Sequence, residues 1–343
     1  MKAVVIESFG DAEVLRFRED FPDPSLPEDG VLVEVKAVAL NRLDVWIRKG
    51  TLPVKPPLPH ILGSDVSGVV VATGSAVKGF APGEEVVVAP GLSCGVCREC
   101  QGGRDNLCPD YDILGLRSRG GYAQYVSVPA RNLIRKPEGL TFEEAASYPL
   151  TFLTAWNALV NKGRIAPGDR VLIWAASSGV GVAAVQIAKL FSAFVIATAG
   201  SEEKMEGCRR LGADVVLDHY REDVPTRVKE LFAEGVDLVL DHVGRATFPK
   251  SARCLRKGGR LLFLGTTTGG DVELDLRSLF VREIELLGVY MGRRGDLFRI
   301  TELFREGKLR PVVDRVFALK EAAQAHRYLE ESRHFGKIVL RVG

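Results

Sequence analysis

The sequence has no surplus of charge of either sign. Lys and Arg number 46 and Asp and Glu 44, a net charge of +2 over 343 residues. With the charges spread along the chain, this balance argues against a dedicated nucleic-acid or membrane-surface binder. No leader segment is read at the start, because MKAVVIESFG carries Glu7 and no long apolar core. The uncharged run Val171–Ala188 is interrupted by Ser177-Ser178-Gly179-Val180-Gly181, which suits a strand, a tight turn and a helix rather than a lipid-facing span. These absences predict a soluble, cytoplasmic protein with no membrane partner. There is no internal repeat and no low-complexity segment. Cysteine is scarce: the six present are too few for a disulfide scaffold at this length. Yet four of them fall between Cys94 and Cys108.

The chain is long enough for two domains, and two textures divide it. The first part has short valine-rich pieces, Lys2–Ile6, Val31–Ala39, Gly68–Ala72 and Glu85–Val88, separated by prolines. That pattern predicts a β-rich barrel or sandwich-like domain. From about Thr141 the period changes. Helices are read over Phe142–Tyr148 and Thr154–Asn161. Strands are read over Val171–Ala175, Phe194–Ala199, Val215–Leu217, Leu238–Asp241, Arg260–Leu264 and Glu285–Tyr290. The helices between them are Gly181–Leu190, Glu202–Leu211, Val224–Phe232 and Ala246–Leu255. Short buried strands alternating with amphipathic helices predict an α/β, doubly wound parallel sheet of the Rossmann type. Helices Leu297–Glu306 and Ala322–Leu329 follow, and a last strand, Gly336–Val342, is assigned to the first domain. The expected division is 1–150 with 293–343, and 151–292.

The turn after Val171–Ala175 places Ala176, Ser178 and Gly181 at the three glycine positions of G-x-G-x-x-G, with an extra Gly179. Small residues there let backbone amides approach a pyrophosphate at a helix N-terminus, so Ser178, Gly179, Val180 and Gly181 are candidate cofactor residues. The second strand ends in Ala199-Gly200-Ser201, with no acid to accept the 2′-hydroxyl of NAD, and Lys204 lies one turn on. This favours the 2′-phosphate of NADP(H), with NAD as the alternative. Gly200, Ser201, Lys204, Tyr220 and Gly265 join the cofactor candidates, as do Thr154 and Lys337.

Cys94-x2-Cys97-x2-Cys100-x7-Cys108 has the spacing of a closed four-thiolate shell, so one structural zinc per chain is expected. Val96 and Leu107 are the only other clearly apolar residues in this lobe, 94–108. It has no core of its own, and metal ligation would order it. An iron–sulfur cluster or disulfides are the alternatives. Cys208 and Cys254 read as small buried residues.

At this point the chain resembles the zinc-type medium-chain dehydrogenase/reductases over essentially its whole length. The carriers are the β-rich domain, the four-cysteine lobe, the nucleotide fold and the terminal Gly336-Lys337-Ile338-Val339-Leu340. The resemblance implies a GroES-like catalytic domain, completed by the C-terminal segment, beside a Rossmann domain. It also implies a dimer or tetramer assembled through the apolar edge strand Ile284–Tyr290. In the alcohol dehydrogenases of that family a second, catalytic zinc is held by Cys, His and Cys. Here the matching positions carry Asn41 (in Asn41-x-x-Asp44), Ser64 (in Gly63-Ser64-Asp65) and a residue near Leu150. These features are similar to the quinone oxidoreductase branch, which commonly uses NADPH and no catalytic zinc.

Without a catalytic zinc to polarise a carbonyl, an electron-poor acceptor is the easier substrate, since the hydride's charge spreads over a conjugated system. Neutral donors such as Asn41 would then stabilise the developing oxyanion. The expected function is NADPH-dependent reduction of a quinone, enone or related carbonyl, with Asn41, Asp44, Ser64 and Asp65 as candidate catalytic residues. Two alternatives stay open. One is an alcohol dehydrogenase with a non-standard metal site built from Asp44, His60 and Asp65. The other is a non-catalytic dinucleotide-binding protein.

Overall fold

The computed structural model describes all 343 residues, Met1–Gly343. It contains two compact units, Met1–Leu150 with Arg293–Gly343, and Thr151–Gly292. No helix is long and apolar enough to cross a membrane.

The first unit is built on a seven-stranded sheet. Its path runs Val313–Ala318, Lys337–Arg341, Gly30–Ala39, Asp65–Thr73, Glu85–Val88 and Leu133–Arg135, with Tyr125–Pro129 also paired to Gly30–Ala39. Valine dominates these strands because its branched side chain packs well on a pleated surface. Val31, Val33, Val35, Val66, Val70, Val86 and Val88 all enter one apolar core. Two registers matter for the site. Ala39 pairs with Val339 on one side and with Asp65 on the other, both antiparallel. Continuing either ladder by two residues sets Asn41 opposite Lys337 and opposite Gly63.

The second unit holds a six-stranded, all-parallel sheet. Its order is Val215–Asp218, Phe194–Ala199, Arg170–Ile173, Val236–Asp241, Leu255–Phe263 and Glu285–Gly288. The order reverses beside Arg170–Ile173, and such a switch point is where open α/β sheets bind ligands, at the carboxyl ends of the strands. Val236–Asp241 is buried along its whole length, as a parallel strand covered on both faces must be.

Most of the expected elements form, with shifted ends. The helix expected at Thr154–Asn161 runs Pro149–Trp156 and passes into a π-turn over Asn157–Lys162. Proline is accommodated in a first helical turn because its missing N–H has no partner there anyway. The strand expected at Glu285–Tyr290 stops at Gly288. The helix Arg42–Lys49 and the strand Val313–Ala318 had no counterpart in the sequence reading. The helix is only eight residues long, too short for a periodic pattern to stand out. The strand owes its place to a parallel pairing with Lys337–Arg341.

Candidate active site and cysteine lobe

In the first unit the sheet register gathers a buried polar cluster. Asn41 precedes the helix Arg42–Lys49, and its side chain does not cap that helix. Instead it faces Lys337, whose Nζ donates to Asn41 Oδ1 at 2.7 Å, to the Leu40 carbonyl at 2.6 Å and to Asp65 Oδ2 at 3.0 Å. An ammonium only donates, so the amide atom turned to it is oxygen. The amide nitrogen therefore points to Asp65 Oδ2, at 2.9 Å. Asp65 Oδ1 accepts the Leu150 N–H at 2.7 Å. Lys337, placed with the cofactor residues by the sequence, has three donors and three acceptors within its own unit.

The neighbouring carboxylate, Asp44, is fully buried and accepts two backbone N–H groups, Asn41 at 2.7 Å and Gly63 at 3.1 Å. Burial pushes its pKa up to about 6, against the opposing pull of the Asn41 amide and the Lys337 charge. Ser64 is fully buried and its hydroxyl has no hydrogen-bond partner in the protein. His60 lies apart from this cluster, with Nε2 donating to the Gly115 carbonyl at 2.9 Å. Asp44, His60 and Asp65 thus do not gather as a metal-binding triad. One group of His, Cys, Asp or Glu side chains is close enough for that, and it is the cysteine set.

The Sγ atoms of Cys94, Cys97, Cys100 and Cys108 all lie within 4.8 Å of one another. Cys94 Sγ is 3.9 Å from Cys100 Sγ and 3.5 Å from Cys108 Sγ. A tetrahedral zinc with Zn–S bonds of about 2.3 Å requires sulfurs roughly 3.8 Å apart, so the set fits a structural zinc. The Val96 and Cys97 amides turn to Cys94 and lower its thiol pKa, which favours a thiolate there, while the hydrogen-bonded Cys108 thiol is pushed up in turn.

In the second unit, Ser178 caps the helix Gly179–Leu190 by accepting the Gly181 N–H at 3.0 Å. Gly179 and Val180 open the helix, where N–H groups lack intrahelical acceptors and suit an anion. Gly181 cannot carry a side chain, since a Cβ there would lie 2.6 Å from Ala176 Cα. Ala175 turns the chain with φ +45°. His242, which the sequence did not single out, approaches Ser178 Oγ with Nε2 at 3.2 Å. A Cβ at Gly265 would lie 2.6 Å from the His242 carbonyl.

The strand Phe194–Ala199 ends as expected, and Ser201 caps the next helix through the Lys204 N–H. Tyr220, 81% exposed, lies over Gly200, where a Cβ would come 2.4 Å from its ring. Glu202 is drawn to Arg209 at 3.0 Å. Thr154 is buried, with Oγ1 4.0 Å from Met291 Sδ.

Two family models match the chain, one described as "Alcohol dehydrogenase GroES-like domain" over residues 27–138 and one as "Zinc-binding dehydrogenase" over residues 179–306. The chain belongs to the zinc-type medium-chain dehydrogenase/reductase family. A solved structure of a NAD-dependent alcohol dehydrogenase matches it with a TM-score of 0.97 at 50% identity, covering 100% of both chains. The quinone oxidoreductase of Homo sapiens is 29% identical over 99% of this chain and 97% of its own length. The crotonyl-CoA reductase of Streptomyces collinus is 33% identical over 93% of this chain and 80% of its own. The protein is accordingly an NAD(P)-dependent oxidoreductase of the family that spans alcohol dehydrogenases, quinone oxidoreductases and enoyl reductases. The positions that the resemblance gives to catalytic-zinc ligands carry Asn41, Ser64 and a residue near Leu150, and no cysteine lies between Cys108 and Cys208.

Proposed function

We propose that the protein is an NADPH-dependent reductase of quinones, enones or related conjugated carbonyls, with one structural zinc per chain and no catalytic zinc. The observation that carries this reading is the Asn41–Asp65–Lys337 cluster. Asn41, Ser64 and the residues near Leu150 offer no thiolate or imidazole, and Asn41 and Asp65 are already engaged by an ammonium. The nicotinamide supplies the hydride when bound. The protein's part is to stabilise negative charge on the acceptor oxygen with neutral donors. One N–H of the Asn41 amide is engaged by Asp65, which leaves the second for an acceptor. The Ser64 hydroxyl, buried without a partner, is the other candidate donor. Asp44 and Asp65 hold the segments that carry them.

Ser178, Gly179, Val180 and Gly181 would hold the pyrophosphate and Gly265 the nicotinamide end, with Thr154 near the cofactor. Gly200, Ser201, Lys204 and Tyr220 would frame the adenosine. Lys204 supports NADP(H), and the 50% identical NAD-dependent neighbour supports the second reading, NAD. A charge-assisted contact to a 2′-phosphate is worth about 1.5–3 kcal/mol. Lys204→Ala is therefore expected to weaken NADPH binding roughly ten- to a hundredfold and to leave NADH binding nearly unchanged, as read by fluorescence titration. Equal affinity of wild type and variant for NADPH sinks the assignment.

Metal analysis of the purified protein is expected to give one zinc per chain, with NADPH oxidation by a quinone or enone. Two zincs with alcohol oxidation would establish the alternative, an alcohol dehydrogenase with a non-standard catalytic metal. The edge strand Glu285–Gly288 lies in a unit that exposes Leu276, Phe280, Val281 and Tyr290. Such an unpaired edge with apolar surface supports a homodimer or homotetramer. A cytoplasmic location is part of the same proposal.

A further inference from the structure

We propose that His219 is a specificity residue for the cofactor: a fixed hydrogen-bond donor to the 2′-phosphate of NADP(H), with its ring set by Thr198. This rests on the NADP(H) reading above and adds a residue that the sequence did not single out. The second strand of the parallel sheet, Phe194–Ala199, is followed by Gly200. In the dinucleotide fingerprint an acid stands at this strand end and accepts from the ribose 2′-hydroxyl. Here the residue is glycine, and two neighbours fill the space that a side chain would take. A Cβ at Gly200 would lie 3.0 Å from His219 Nε2 and 2.4 Å from the Tyr220 ring. The imidazole thus stands where the acid would, and what it presents there depends on which nitrogen carries the proton.

Thr198 decides that. It is fully buried, and its Oγ1 accepts the Ala175 N–H at 3.0 Å. A buried hydroxyl proton needs an acceptor, and the one within reach is His219 Nδ1, at 3.1 Å. Nδ1 therefore accepts, and a neutral ring then carries its proton on Nε2. Burial holds the imidazole pKa below its ordinary value, with Asp218 opposing and Lys204 and Lys250 adding to the effect. The ring is accordingly neutral at neutral pH. Nε2 itself has no hydrogen-bond partner in the protein. The adjacent carboxylate, Asp218, is turned instead to the Tyr220 N–H at 2.9 Å and to Arg221 at 3.6 Å. An N–H donor is left facing the strand end where the fingerprint has an acceptor.

A donor and an acceptor sort the two cofactors differently. A 2′-hydroxyl can donate, so an acid at this place favours NAD by taking its proton. A phosphate dianion only accepts. A hydrogen bond to a charged group is worth more than one to a neutral hydroxyl, so a fixed N–H gains most from the phosphate. Lys204, whose backbone N–H is held by Ser201 Oγ at 3.4 Å, supplies charge from the next helix. His219 supplies direction from the end of the sheet. Thr198 ties this donor to the first turn as well. Its carbonyl accepts the Ala176 N–H at 2.8 Å, beside Ala175 with φ +45°. The residue that orients the imidazole thus also pins the turn that leads into Ser178–Gly181. Tyr220 meets the imidazole edge-on, with ring centres 4.5 Å apart, and braces it from the other side.

The test is His219→Asn and His219→Phe in the full chain, read by fluorescence titration with NADPH and with NADH. Asparagine keeps an acceptor for Thr198 and loses the donor beside Gly200. Phenylalanine keeps a ring against Tyr220 and loses the same donor. Both are expected to lower the preference for NADPH over NADH roughly ten- to a hundredfold. A ring that only fills space, or only satisfies Thr198, would leave that preference intact in one of the two. The tautomer is read separately, from the long-range proton–nitrogen correlation spectrum of the cofactor-free protein, with His219 assigned by His219→Asn. A proton on Nε2 is expected. A proton on Nδ1 overturns the proposal, and so does an unchanged preference in either variant. Lys204→Ala on the same titration keeps the two failures distinguishable. A wild type without preference for NADPH brings down the NADP(H) reading and the role of His219 with it. A preference lost in Lys204→Ala but kept in His219→Asn brings down the role of His219 alone.

Discussion

Lys337→Met is expected to destabilise the protein by about 3–5 kcal/mol and to lower hydride transfer about a hundredfold. The first figure is the usual cost of removing one partner from a buried ion pair, because the other charge stays in the interior without compensation. The side chains of Asp65 and Lys337 are almost wholly inaccessible to solvent, so water cannot replace the ammonium. Three acceptors lose a donor at once, namely Asp65 Oδ2, Asn41 Oδ1 and the Leu40 carbonyl. The second figure follows from geometry. With its oxygen released, the Asn41 amide is free to rotate, and an error of about 1 Å in a positioned donor costs on the order of a hundredfold. Urea denaturation gives the stability change, and a kcat/KM comparison with NADPH and a quinone gives the kinetic one. Lys337→Arg is a useful companion, since it keeps the charge but replaces a compact ammonium by a planar fork. If Lys337→Met unfolds at the same denaturant concentration as the wild type, the buried pair does not hold the site together.

How much of this site could be read from the chain depends on how far apart its parts lie. The gathering of the four cysteines was legible because they sit within one short segment and their spacing alone suggests it. The turn between the strand Arg170–Ile173 and the helix Gly179–Leu190 was legible for the same reason, since strand, small residues and helix are consecutive. Asn41, Asp44, Ser64 and Asp65 were reachable only through the resemblance. Their convergence with Lys337 depends on two sheet registers that no local pattern specifies. His219 was missed altogether. Its partner Thr198 lies 21 positions away, and each resembles an ordinary residue of its own segment. His242 was missed in the same way, being 64 positions from Ser178. Local grammar thus describes ligand shells and turns, while buried networks come from pairing that only the folded chain reveals.

Removal of the zinc proposed for the lobe 94–108 is expected to unfold that lobe and leave the parallel sheet of Thr151–Gly292 intact. The lobe has almost nothing else to order it. Val96 is 74% exposed and Leu107 54% exposed, so neither contributes a core. Its helix, Arg98–Gln101, is one turn of four residues, far below the length at which helices persist alone. The Arg104–Glu99 pair is short at 2.7 Å but half open to solvent, and such pairs contribute little. A further tether is the Asp105 carboxylate, which accepts the Arg294 N–H at 3.0 Å. Metal ligation in small zinc peptides contributes on the order of 10–16 kcal/mol. Chelation under reducing conditions is therefore expected to open trypsin cleavage at Arg98 and Arg104 with little change in helical circular dichroism. Cys97→Ser, with three thiolates left, is expected to bind zinc more weakly and to show the same cleavage at lower chelator concentration. NADPH binding should survive both treatments, because the nucleotide turn makes no use of the lobe's residues. Full resistance to trypsin in the zinc-free protein would mean that the peptide, and not the metal, orders this segment.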